Sequence, residues 1–329
     1  MIAHGNTETG MGHVMRALSL AEAFRSSGHS VSFFSKYPPG AEIIKGKGFD
    51  VLNWEKAGEW KDTKDFPADV IVIDSYEVSR EYFEKLKERT KCLVYIDDLN
   101  AFKYPVDVIV NGTASALNMN YEALQDAKLL LGLRYNLLRK EFFHVPKRKT
   151  GRKINNILIT TGNSDPFHMT EKILQIFIEE KEFAGLKYHV IVGSGFDNNI
   201  WESRITDCAD VCLYKNPDMM SEIMMNCDVA VAAGGSTLYE LAACGIPAVV
   251  FAYAENQIPQ ITAMEQENLI RYLGTYTSVK KERLIKEIQY FQENIEMREE
   301  LVKKLQKLVD AQGSLRVVKE IEAVIEEMG

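Results

Sequence analysis

The sequence predicts an α/β protein of two domains, each a parallel sheet flanked by helices, and three observations predict it. Short, continuous apolar runs alternate with helically spaced segments along most of the chain, as strands buried on both faces of a parallel sheet require. The alternation halts in a basic, apolar-poor stretch ending at Lys153 and then restarts. The chain has 329 residues, more than one hydrophobic core comfortably holds. We expect domains over 1–145 and 146–329, the second carrying the C-terminal helices. Their sheets would face a cleft at the strand ends.

Met1-Ile2-Ala3 reads as a very short first strand. After it, Gly10 and Gly12 let the backbone turn tightly and approach a ligand where a Cβ would collide. Val14, Leu18, Leu20, Ala21 and Phe24 then recur at helical spacing up to Gly28, a stop residue. Further strands are expected at Ser30 to Ser35, Asp69 to Ile73, Cys92 to Ile96, Val106 to Val110 and Lys128 to Leu131. The stretch from Arg139 to Lys153 reads as the interdomain linker. Beyond it, strands are expected at Ile154 to Thr161, Tyr188 to Val192, Asp210 to Leu213, Asp228 to Ala232 and Ala248 to Phe251. From about Ser278 the chain is rich in Glu, Lys, Leu and Ile at helical spacing, with a break at Gly313, and we assign this charged face no chemistry.

Composition narrows the function. A net charge of −8 argues against nucleic acid, whose binding relies on cationic surface. No apolar run reaches membrane-spanning length and no signal-peptide pattern opens the chain, so the cytoplasm is the expected compartment. Cys92, Cys208, Cys212, Cys227 and Cys244 are scattered without Cys-x-x-Cys spacing and read as reduced, packed thiols rather than zinc ligands. No obligate protein partner is evident.

Two segments carry chemistry. His13 falls in the first turn of the helix that follows the glycine turn, where the dipole disfavours imidazolium and unpaired N–H groups attract phosphate. It reads either as a base beside an anionic ligand or as a packed capping residue. The second segment is Gly234-Gly235-Ser236-Thr237, which follows a buried strand and opens a helix. Such a turn aims backbone and hydroxyl donors at a diphosphate. Glu240, about one turn further on, either accepts from ribose hydroxyls or complements the dipole. Asn256 and Gln257 lie at another strand's carboxyl end, where open α/β sheets bind ligands. Asp97-Asp98 reads either as a metal pair or, the favoured reading because adjacent strand residues point apart, as a loop start with one acid capping the next turn, and Asp74 has similar standing. Tyr76 is of interest for its hydroxyl. Trp54 and Trp60 either line a sugar site or pack.

Taken in order, Gly-Asn-x-x-x-Gly-x-Gly-His-x-x-Arg, Asp74-Ser75-Tyr76, Asp97-Asp98-Leu99, Leu137-Leu138-Arg139-Lys140-Glu141-Phe142, Asn163-Ser164-Asp165-Pro166 and Ala-Gly-Gly-Ser-Thr-x-Tyr-Glu with Asn256-Gln257 resemble the pseudaminic-acid-pathway nucleotide-sugar hydrolases and the SpsG spore-coat polysaccharide proteins. The likeness spans nearly the whole chain. It implies a GT-B fold of the MurG type, with two Rossmann-like domains and a UDP-sugar in the cleft. It further implies hydrolysis of UDP-2,4-diacetamido-2,4,6-trideoxy-β-L-altropyranose with inversion, without metal or cofactor. By position, His13 would activate water, and Tyr76 and Asn256 would lie beside the sugar and the water. Gly10, Gly12, Arg16, Asn163, Ser164, Gly234, Gly235, Ser236, Thr237, Glu240 and Gln257 would form the substrate and nucleotide site, with Gly235 and Ser236 at the diphosphate and Glu240 at the ribose. The chain departs from the family pattern twice. It has Gly162-Asn163 in place of a Gly-Gly turn, and Ile2-Ala3-His4-Gly5 in place of Arg-x-Asp-Gly. A glycosyltransferase, or a binding protein that has lost catalysis, would use the same machinery.

Overall fold

The two-residue strand β1 (Ile2–Ala3) lies in the middle of its sheet, paired in parallel with β2 (Ser32–Phe34) on one side and β4 (Val70–Asp74) on the other. The computed structural model describes residues 1–5, 11–52, 67–196 and 210–328. Among these, the chain divides into two units, Met1–Phe143 with Ala311–Gly329, and His144–Asp310.

In the first unit, β1, α1 (Gly12–Ser26), β2, α2 (Pro38–Gly46) and β3 (Asp50–Leu52) wind one way, and β4, α3 (Arg80–Lys87), β5 (Cys92–Ile96), β6 (Val108–Asn111), the short α4 (Tyr121–Leu124) and β7 (Lys128–Leu131) wind the other. The resulting parallel order is β3-β2-β1-β4-β5-β6-β7. The winding reverses between β1 and β4, so a crevice is expected at their carboxyl ends. Alternation along the strands fills both faces. Val72, Val94 and Val110 point to one core with Leu20 and Phe24 of α1, while Ile73, Leu93, Tyr95 and Ile109 meet Phe83 and Leu86 of α3 on the other. Gly28 closes α1 with φ +91°, a left-handed conformation that glycine adopts without strain.

The second unit repeats the pattern. It contains β8 (Asn156–Thr160), α5 (Met169–Glu179), β9 (Lys187–Val192), β10 (Val211–Lys215), α6 (Met220–Met225), β11 (Val229–Ala233), α7 (Thr237–Ala243), β12 (Ala248–Ala252), α8 (Ile258–Gln266), β13 (Arg271–Thr275), α9 (Lys281–Glu293) and α10 (Ile295–Leu308). The parallel order β10-β9-β8-β11-β12-β13 reverses between β8 and β11. Strands β3 and β13 are additions to the sequence reading. Both are edge strands, one three residues long and the other carrying Arg271 and a positive-φ Gly274, so neither presents a clean apolar run.

The last helix, α11 (Gly313–Met328), departs from the expected division. It belongs to the first unit rather than to the 146–329 domain. Val317, Val318, Ile321 and Val324 enter the core beside Leu20 and Val94, and Ser314 Oγ meets Ser19 Oγ at 2.7 Å. The glycine at its start is required by space, since a Cβ on Gly313 would lie 2.1 Å from the Asn136 carbonyl oxygen. The expected linker also holds a structural residue. Arg148 sends Nε to Cys244 O at 2.7 Å, Nη1 to Cys227 O at 2.7 Å and Nη2 to Met224 O at 2.9 Å, satisfying carbonyls at the ends of α6 and α7. Cys92, Cys212, Cys227 and Cys244 take part in no disulfide among the described residues, and Cys208 lies outside them. Among the described residues no helix is long and apolar enough to cross a membrane.

Candidate functional site

At the winding reversal of the first sheet, Ala3 of β1 pairs with Asp74, the last residue of β4. His13, the second residue of α1, is buried and reaches across to it, with Nδ1 2.5 Å from Asp74 Oδ1. An ionised carboxylate can only accept, so Nδ1 carries a hydrogen, and in the neutral imidazole Nε2 is the nitrogen that keeps a lone pair. Arg16, one turn along α1, sends Nε to Asp74 Oδ2 at 3.0 Å and Nη2 to Asp74 Oδ1 at 2.8 Å. Its Nη1 donates to Asp98 Oδ2 at 2.8 Å. Arg16 Nη2 also comes within 3.0 Å of His13 Nδ1. His13 Nδ1 gives its hydrogen to Asp74 and Nη2 gives Asp74 one of its two, so this approach is a contact between donors. Asp74 is completely buried, and its charge is balanced by Arg16 at close range.

Tyr76 completes the group. Its hydroxyl donates to Asp98 Oδ1 at 2.5 Å, and its ring stands edge-on to the His13 imidazole with centroids 4.5 Å apart. Burial alone would favour a neutral guanidinium, yet the Asp74 and Asp98 carboxylates outweigh it and hold the Arg16 pKa well above its ordinary value. Burial likewise opposes the Asp98 charge, but Arg16 and the Tyr76 hydroxyl bring its pKa below the usual range. Burial, followed by Asp98, pushes the Tyr76 phenol upward, so it stays protonated. His4, next along from β1, is buried, and burial lowers its pKa despite nearby Glu77.

The adjacent acids, which follow the end of β5 at Ile96, have separate duties. Asp97 accepts from the Leu99 and Asn100 amides at 3.2 and 2.8 Å and from the Tyr104 and Tyr121 hydroxyls, tying the loop after β5. Asp98 points instead to Arg16 and Tyr76. The capping role expected of one acid thus falls to Asp97. Asp74 and Asp98, read from sequence as structural, are in direct contact with His13, Arg16 and Tyr76. The signal available was the carboxylate at the carboxyl end of β4. Among the described residues, no group of three or more His, Cys, Asp and Glu is arranged to hold a metal ion.

The second unit gathers the other expected residues around its own winding reversal. Strands β8 and β11 are paired, Thr160 with Ala232, so the loops that follow them are neighbours. Asn163 is fixed by the turn after β9, with its carbonyl accepting from Gly195 N at 2.9 Å and Oδ1 from Ser194 Oγ at 2.8 Å. Ser164 is exposed beside it. Asp165 caps α5, accepting from Met169 N and Thr170 N at 2.8 Å each, and also accepts from the Tyr253 hydroxyl.

Gly234 and Gly235 are glycines for different reasons. A Cβ on Gly234 would lie 2.1 Å from Ile261 Cδ1, whereas one on Gly235 meets no heavy atom within 4 Å. The first permits α8 to pack and the second faces open space. Ser236 and Thr237 open α7, and Glu240 is buried within it. Gln257 Oε1 accepts from Tyr253 N at 2.9 Å, while Asn256 is exposed. The expected residues therefore form two groups: Gly12, His13, Arg16 and Tyr76 in the first unit, the rest in the second. Gly10, Trp54 and Trp60 lie outside the described residues. Arg16, expected among the ligand-binding residues, has three of its N–H groups committed to carboxylates.

No protein-family model matches the chain. Over 96% of its length it is 24% identical to the spore coat polysaccharide biosynthesis protein SpsG of Bacillus subtilis, covering 95% of that protein. Over 64% it is 28% identical to the pseudaminic acid cytidylyltransferase and UDP-2,4-diacetamido-2,4,6-trideoxy-β-L-altropyranose hydrolase of Helicobacter pylori, of which it covers 39%. In sequence the chain is thus similar to SpsG and to this hydrolase. An uncharacterized protein of Methanocaldococcus jannaschii is 31% identical over 78% of the chain, which spans 56% of that relative's length. Among solved structures, Acinetobacter baumannii MurG superposes with a TM-score of 0.63 at 15% identity, covering 98% of this chain and 99% of that one. The spinosyn rhamnosyltransferase SpnG gives 0.68 at 13% identity, with 98% and 99% covered. At these identities the likeness establishes the fold, which is GT-B in type, as expected.

Proposed function

We propose that this SpsG- and PseG-like chain hydrolyses a UDP-linked diacetamido-trideoxyhexose, releasing UDP and the free sugar. The observation that carries the reading is the His13–Asp74 contact, which leaves Nε2 as the lone acceptor of the imidazole. In this reading His13 takes a proton from water and the water oxygen bonds to the anomeric carbon. The bond from that carbon to the diphosphate oxygen breaks, its electron pair leaving with UDP, and the centre inverts. Asp74 stabilises the imidazolium that forms. Glycosidases with poor leaving groups need a second carboxyl to donate a proton, but UDP is a far better leaving group and one base suffices. The Gly234–Thr237 turn would take the diphosphate, Glu240 the ribose, and Asn256 and Gln257 the sugar. What supports these assignments is their position at strand ends beside the winding reversal and the family likeness.

The test is UDP release from UDP-2,4-diacetamido-2,4,6-trideoxy-β-L-altropyranose without added acceptor. Turnover supports hydrolysis. Absence of release together with tight UDP binding moves the assignment to a glycosyltransferase, the activity named for several proteins of the same fold. The two glycines offer a second check. Gly234→Ala is expected to cost about 1–3 kcal/mol of folding stability through overpacking against Ile261. Gly235→Ala should leave the melting temperature unchanged and weaken UDP binding, measured by calorimetry. Equal UDP affinity in Gly235→Ala would remove the diphosphate from that turn.

A further inference from the structure

We propose, on the reading that His13 is the base for water, that Asp98, held by Arg16, is a positioning residue that fixes the Tyr76 hydroxyl as a hydrogen-bond acceptor beside the His13 ring. A phenol has one hydrogen. Tyr76 gives it to Asp98 Oδ1 at 2.5 Å, so toward any ligand its oxygen only accepts. Asp98 cannot turn away, because its other oxygen takes Arg16 Nη1 at 2.8 Å. Arg16 in turn is locked on Asp74 through Nε and Nη2, and Asp74 holds His13. The edge-on packing of Tyr76 on His13 closes the circuit, with ring centroids 4.5 Å apart.

Charge explains why a carboxylate and a guanidinium are used. With His13 neutral, the two carboxylates and Arg16 sum to one negative charge, and the proton taken by His13 neutralises the group. The cluster is therefore set to receive a proton. Two acceptors, His13 Nε2 and the Tyr76 oxygen, match the two hydrogens of a water molecule, whose lone pair is left for the anomeric carbon. One hydrogen passes to His13 and the other stays on the new sugar hydroxyl. Lysine in place of Arg16 is a point charge and cannot span both carboxylates through a planar fork.

The experiment compares full-length Asp98→Asn, Tyr76→Phe, their double variant and Arg16→Lys in the UDP-release assay, with UDP affinity and melting temperature recorded for each. Asp98→Asn and Tyr76→Phe should each lower kcat about tenfold at unchanged KM, and the double variant should be no slower than the slower single, the non-additivity of residues acting as a unit. Arg16→Lys should also lower the rate, because an ammonium cannot span both carboxylates. A double variant slower by the product of the two losses, about a hundredfold, overturns the proposal. A readout independent of turnover is the Cζ resonance of Tyr76 in carbon-13-labelled, ligand-free protein, assigned by its loss in Tyr76→Phe. It should move in Asp98→Asn, and an unmoved resonance overturns the proposal even if activity falls. If the resonance moves but the wild type releases no UDP, the hydrolase reading fails and the Asp98–Tyr76 clamp stands.

Discussion

Replacing His13 by Asn is expected to lower kcat for UDP release by about 10²–10⁴-fold, the usual contribution of a positioned proton acceptor. Asparagine keeps a donor near the Nδ1 position, so the contact with Asp74 has a replacement, but no side-chain atom is left to take the proton that Nε2 would receive. UDP affinity should be unchanged, because the residues assigned to UDP belong to the second unit. The check is single-turnover kinetics beside calorimetric UDP binding. If rate and UDP affinity fell together, His13 would be a structural residue of α1 and the assignment of a base would be withdrawn.

Asp74→Asn should be nearly as damaging to turnover and more damaging to stability. The carboxylate is completely buried and accepts from His13 Nδ1, Arg16 Nε and Arg16 Nη2. An amide offers one accepting oxygen and a competing donor, so the imidazole loses the partner that selects its tautomer. A comparable change in the serine-protease triad lowers kcat about 10⁴-fold, and we expect about 10³–10⁴-fold here. Removing one partner of a buried ion pair costs about 3–5 kcal/mol. Arg16 retains Asp98 and is 24% exposed at its side chain, which places the expected loss at the lower end, about 3 kcal/mol. Denaturant unfolding measures the stability term, and the long-range nitrogen–proton spectrum of His13 reports the tautomer. A stable, fully active Asp74→Asn variant would mean that the carboxylate serves only to neutralise Arg16.

Much of the fold was legible because its signals are local. Continuous apolar runs such as Cys92–Ile96 and Val229–Ala233 are buried along their whole length, and a parallel strand covered on both faces has no reason to alternate. The short Ile2–Ala3 strand was legible as an apolar stub, yet its central place in the sheet comes from hydrogen bonds to β2 and β4. The edge strand Arg271–Thr275 escaped reading because one paired side suffices for it and its composition is mixed. The glycines of both segments mark tight turns in the sequence. Only packing distinguishes Gly234, pressed on Ile261, from Gly235, facing open space.

The sequence by itself determined the class of chain, the restart of the α/β pattern near residue 154, the histidine on its helix-opening turn and the glycine turn of the second unit. These depend on residue type and spacing within a dozen positions, where backbone sterics and burial act directly. Tertiary structure decided which carboxylates meet His13 and Arg16. Asp74 and Asp98 are separated from Arg16 by 58 and 82 positions, and no local pattern distinguishes a carboxylate that accepts from a helix one strand away from one that caps its own loop, as Asp97 does. It also decided the partner of α11. The apolar stripe of Val317, Ile321 and Val324 specifies that the helix must be covered, whereas the shape of the first unit's open core, with Ser19 and Asn136 fitted to Ser314 and Gly313, specifies by what.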